Sequence, residues 1–189
     1  GNAAKITEVN QWGDAQWQSM RRAFYGAGNV KLVATDAPDL SQVTTMEEVF
    51  YATYEFNEPI GHWDVSNVTN MKGAFHFTDF NQPLNGWDVS NVTDMSYMFD
   101  SANRFNQPLN SWDVSNVTDM SYMFGSAMRF NQPLNNWDVS KVQTMEYMFG
   151  FASAFNGSIG DWDVSSVTNM NGMLQNATVF NQPIGSWDM

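Results

Sequence analysis

The chain has 189 residues, 43% of them hydrophobic and only 15% charged, with no cysteine and a net charge of -12. That composition excludes a disordered chain, a disulfide scaffold and any cysteine-based metal or redox site. The acid lies in residues 39–189, where 17 Asp and Glu face 4 Lys and Arg, while residues 1–38 carry about +1. A surface of that sign repels nucleic acid and anionic membranes. No apolar run approaches the length of a membrane span, so direct membrane insertion is not expected.

In chain order, residues 1–38 read as an N-terminal capping coil. Trp17, Met20, Phe24 and Ala27 keep a helical row, Asp14 is placed to cap it, and Trp12 adds bulk. From residue 39 one sentence is written six times, closed by Trp63, Trp87, Trp112, Trp137, Trp162 and Trp187 in steps of 24, 25, 25, 25 and 25. Self-similarity at this period means coils that stack on one another and share a continuous core. Residues 39–189 are therefore expected to be one six-repeat array, continuous with the cap and uncapped at its C-terminus.

Within the coil 113–137, Met120, Met123, Phe124 and Ala127 fall at i, i+3, i+4 and i+7. That spacing predicts a two-turn helix, with Thr118 and Asp119 at its start. Trp112-Asp113-Val114 alternates inward and outward residues, which predicts a short strand in a parallel sheet along the stack. Pro83, Pro108, Pro133 and Pro183 keep the Asn-Gln-Pro segment out of any ladder. The Asn after each Phe (Asn57, Asn81, Asn106, Asn131, Asn156, Asn181) is expected to satisfy backbone groups at a corner and to meet the Asn of the next coil. The coil ending at Trp87 lacks one residue between Phe75 and Phe80, which predicts a local pinch. The fold class expected is a leucine-rich-repeat-like repeat solenoid with one short parallel strand and one short helix per coil.

The string V-T-x-M-x-x-M-F-x-x-A-x-x-F-N, with W-D-V-S, resembles the BspA-like leucine-rich-repeat surface proteins of bacteria. The resemblance covers residues 39–189, with 6–38 as a lead-in. It implies an extracellular, cell-surface solenoid with adhesive or host-contact roles, and no catalytic residues to carry over.

Two features are candidates for function. Tyr97, Tyr122 and Tyr147 recur once per coil off the Met/Phe stripe, so they are expected to be part exposed, and Tyr is enriched at binding surfaces. Arg104 and Arg129 recur nearby, to pair with Asp100 or to stand in solvent. The acidic row Asp88, Asp113, Asp138 and Asp163, flanked by Asp39, Asp64 and Asp188, offers either local Asx-turns to the Ser two residues on or a set of calcium ligands. Each coil supplies its own Ser, so no calcium requirement and no other cofactor is expected. His62 and His76 sit at non-equivalent positions with no nucleophile beside them, so no enzyme is expected. The reading is a non-enzymatic binding or adhesion module of a larger bacterial surface protein, recognising a protein or glycan; the alternative is a structural spacer, cation-stabilised if the Asp row binds metal.

Overall fold

A computed structural model describes residues 6–187 of the chain. They form a ladder of coils one above the next. Matching residues of adjacent coils meet in parallel at Gln16–Asp39, Thr45–Asn70, Asn70–Asp94, Asp94–Asp119, Asp119–Thr144 and Thr144–Asn169. One hydrophobic cluster runs through the coils from Trp12 to Met173, so residues up to 38 and the array after them share a core.

The expected helix and strand of each coil are both overturned. The described residues contain no helix, and the only strands are β1 (Glu8–Val9) and β2 (Lys31–Leu32), paired in parallel. Each coil is instead a chain of turns. In coil 113–137 the amides of Val117, Met123, Gly125, Ala127, Phe130 and Trp137 each bond the carbonyl three residues back, at 2.9–3.1 Å. Tyr122 and Ser126 have φ of 57° and 52°. They stand third in the turns 120–123 and 124–127, where a type II turn requires positive φ. Successive four-residue turns set apolar residues at i, i+3, i+4 and i+7 as a helix does, which is why burial followed the expected stripe while the hydrogen bonding did not.

The amides between those turns leave the coil. Met120, Tyr122, Phe124 and Ser126 donate to the carbonyls of Thr144, Glu146, Met148 and Gly150 in the next coil, at 2.7–3.1 Å. The carbonyls of Asp119, Ser121, Met123 and Gly125 accept from the previous coil, at 2.7–3.0 Å. Residues thus alternate between bonding their own turn and bonding a neighbour, and these buried backbone groups find partners without a helix. Side chains reinforce the choice. Asp119 Oδ1 accepts from the amide of Ser121 at 2.8 Å; such local bonds compete with helix formation. The Thr column does not cap helices either: Thr118 Oγ1 donates to the carbonyl of Thr93 in the coil before, at 3.1 Å. At Trp112-Asp113-Val114 the inward-outward alternation holds, but no ladder forms there.

Inside, side chains stack in columns. Phe50, Phe75, Phe99, Phe124 and Phe149 lie ring over ring with centroids 5.4–5.6 Å apart. Phe56, Phe80, Phe105, Phe130 and Phe155 form a second column at 5.9–6.4 Å. The Trp column is buried from Trp63 to Trp162 and half-buried at Trp187, and from Trp87 to Trp187 each Nε1 donates across coils, as Trp137 does to the carbonyl of Leu109 at 2.9 Å. The Asn corner is as expected: Asn131 donates its amide to Asn106 Oδ1 and Asn156 to Asn131 Oδ1, at 2.9 and 2.8 Å. The missing residue widens and tilts the Phe75–Phe80 pair to 4.5 Å and 22°, against 4.0 Å and 9° for Phe124–Phe130.

At the N-terminal end β1 lies beside β2 with Glu8 opposite Lys31. Trp12 then covers the core, edge-on to Trp17, Phe24 and Trp63 at 6.0, 6.1 and 5.4 Å. Asp36, not Asp14, takes the capping role, accepting from the amides of Trp12 and Gly13.

Candidate functional site: an aromatic face on the turns

The three tyrosines come together. Tyr97 stacks on Tyr122 at 4.7 Å and 5°, and Tyr122 on Tyr147 at 5.1 Å and 17°. They are half-buried. Burial raises the phenol pKa of Tyr97 and of Tyr122, and the neighbouring carboxylates act in the same direction. Both phenols are therefore neutral hydrogen-bond donors at neutral pH.

Their backbone is unusual. Tyr97, Tyr122 and Tyr147 have φ of 59°, 57° and 48°. A non-glycine residue in the left-handed region costs about 1–2 kcal/mol. The same column holds Arg22, Glu48, Gly73 and Gly172, at φ of 56°, 52°, 59° and 63°. The fold thus accepts glycine or a charged side chain there, and three successive coils carry a large aromatic ring instead.

The face extends beyond what the sequence marked. Three residues further along each turn segment stand Tyr25, Tyr51 and His76, with Tyr25 stacked on Tyr51 at 4.5 Å and Tyr51 edge-on to His76 at 4.9 Å. His76 also lies against Phe77 at 4.2 Å and Tyr97 at 5.8 Å, while Lys72 Nζ sits 5.7 Å from the Tyr97 ring centre. His76 Nε2 is 2.9 Å from Asp100 Oδ2, near enough for an ion pair when the ring is protonated, but off the angle of a hydrogen bond. Glu48, Tyr51, Lys72, Gly73, His76 and Tyr97 enclose a hollow of about 230 Å³ at the upstream end of the tyrosine stack. Aligning the coils column by column, not only along one stripe, was the signal that finds Tyr51 and His76.

Arg104 and Arg129 belong elsewhere. They line a separate cleft with Glu55, Asn57, Asp79 and Asn81. Arg104 Nε pairs with Asp79 Oδ2 at 3.0 Å, not with Asp100, whose partner is His76.

The acidic row stands singly, one exposed carboxylate per coil, each engaged locally. Asp88 Oδ1 accepts from the amide and hydroxyl of Ser90 at 3.0 and 2.7 Å. The amides of Ser115, Ser140 and Ser165 reach Asp113, Asp138 and Asp163 at 3.0, 3.0 and 3.1 Å. The hydroxyl and amide of the serine hold Asp39, Asp64, Asp113, Asp138 and Asp163 below the usual carboxylate pKa. Among the described residues no three His, Asp or Glu gather as a metal group. Asp188 lies outside the described residues.

A family profile described as "Mycoplasma protein of unknown function, DUF285" matches residues 18–135 and again 107–189. The chain belongs to this family. The DUF285 match starts at residue 18, inside the segment read as a cap, in keeping with the Met20/Phe24 turn that donates into the coil of Thr45 and Val49. Neither a curated protein nor a solved structure matches the chain.

Proposed function

We propose that this DUF285 chain is a non-enzymatic binding module that captures a protein or glycan on its aromatic turn face. The observation that carries the reading is the column Tyr97, Tyr122, Tyr147: three rings stacked on one another in successive coils, at a position that elsewhere in the chain holds Arg22, Glu48, Gly73 and Gly172. Stacked phenols offer flat faces and polar tips, the chemistry that suits pyranose rings and protein side chains alike. The V-T-x-M-x-x-M-F string extends the proposal to the BspA-like surface proteins, and with it to an extracellular position in a larger bacterial surface protein. What comes from that resemblance is place and role, not the architecture of the coil.

The test is an array of glycans and extracellular proteins probed with the 189-residue protein. The triple variant Tyr97→Gly, Tyr122→Gly, Tyr147→Gly is expected to keep its melting transition and to lose at least tenfold in affinity for any captured species, about 1.4 kcal/mol. Capture that survives the triple variant, or none across the array, overturns the assignment.

A further inference from the structure

Away from the tyrosines, one row of exposed side chains is ordered by charge along the stack. The residue before each second-column Phe is Glu55, Asp79, Arg104 and Arg129 in four successive coils. All four line the open cleft of about 420 Å³ floored by Asn57 and Asn81. Each member stands one coil from the next, so the charges are evenly spaced. The row reads acid, acid, base, base. Turned end for end it reads base, base, acid, acid, its own complement.

A second feature has the same symmetry. Tyr54 precedes Glu55 and Met128 precedes Arg129; at 61% and 54% exposure they are the two most exposed large apolar side chains among the described residues. They mark the two ends of the row. Between them the coil of Asp79, one residue short, places nothing in that column, and the coil of Arg104 places Asn103 there.

We propose that this row is a self-association surface, on which two copies of the chain meet about a two-fold axis passing between the coils of Asp79 and Arg104. A two-fold interface uses the same patch on both copies, and every contact occurs twice. Glu55 of one copy meets Arg129 of the other, Asp79 meets Arg104, and Tyr54 packs on Met128. The exposed pair Arg104–Asp79 widens into a four-charge cluster on the axis. Arg129, which has no ion pair within the chain among the described residues, gains one. A patch four coils long is smaller than a standard stable interface, and the net charge of -12 on each copy opposes approach, so the dimer is weak and concentration-dependent.

Sedimentation equilibrium from about 10 μM to 1 mM covers the range in which such a dimer forms. The wild type is expected to dimerise. Arg129→Glu and Glu55→Arg are each expected to raise the dissociation constant at least tenfold, since each sets like charges face to face at two places. The double variant, Glu55→Arg with Arg129→Glu, re-pairs reversed charges and is expected to return to within about threefold of wild type. A wild type that stays monomeric, a dimer indifferent to Arg129→Glu, or a double variant no better than either single one overturns the proposal.

Discussion

A tyrosine at φ of 57°, as Tyr122 is, sets two local energies against each other. The left-handed backbone costs about 1–2 kcal/mol, and stacking on Tyr97 and Tyr147 returns about 0.5–1.5 kcal/mol per pair. Tyr122→Gly removes strain and stacking together and adds freedom to the unfolded chain, so its stability is expected to stay within about 1 kcal/mol of wild type. Tyr122→Val keeps the strain, worsens it with a branched Cβ, and loses the ring. Urea titration should show it less stable by about 2 kcal/mol or more, although the side chain is only half-buried. If the valine variant proves as stable as the glycine one, the left-handed assignment is wrong.

At the scale of the element, the turn segment explains what sequence reasoning reached and what it missed. Period, buried columns and the Asn corner were legible because each depends only on which residues recur. The bonding inside the segment was not, because a helix and a string of four-residue turns bury the same positions Met120, Met123, Phe124 and Ala127. The distinguishing fact is where the amides of Met120, Tyr122 and Phe124 point, and that is decided by the neighbouring coil. One clue was present: Gly73 and Gly172 share a column with the tyrosines, and glycine is the residue for positive φ. At the candidate site, the Tyr row was legible as a row, whereas Tyr51 and His76 lay one column over and Asp79, the partner of Arg104, lay one coil back. Phe124→Ala opens both Phe columns and should cost about 3–5 kcal/mol. Measured by denaturant titration, a loss under about 1 kcal/mol would mean Phe124 does not pack between Phe99 and Phe149.

For the whole molecule, the coil is the unit of addition. Every backbone bond that leaves coil 113–137 ends in the coil before or after it. Stability is then a sum of coil terms and nearest-neighbour terms. Excising residues 113–137 joins Trp112 to Asp138 and restores the Trp-Asp-Val sequence, so every column closes again in register. That shortened protein is expected to fold cooperatively with a melting temperature lower by a few degrees. Excising residues 113–125 removes half a coil, sets Phe against loop positions, and should abolish the transition; a scan that shows both deletions folding equally well would rule out the columnar core.

The prevailing direction of the amides that cross between coils gives the molecule an electrical axis. The peptide groups 119–120, 121–122, 123–124 and 125–126 each take a bond at the carbonyl from the coil before and give one at the amide to the coil after. Four peptide dipoles per coil, each about 3.5 D, therefore add along the stack, opposed by the one peptide group 118–119, whose amide bonds Thr93 in the coil before and whose carbonyl accepts from Gln143 in the coil after. Their negative pole lies at the N-terminal end and their positive pole at the other, the reverse of an α-helix. The basic pair Arg21 and Arg22 sits at the negative pole, bound to Glu47 and Glu48 one coil inward. Exchanging the two pairs, arginine for glutamate at both levels, preserves each ion pair but sets acid on the negative pole. That exchange is expected to lower the melting temperature at low salt and to lower it less at high salt, where the pole is screened.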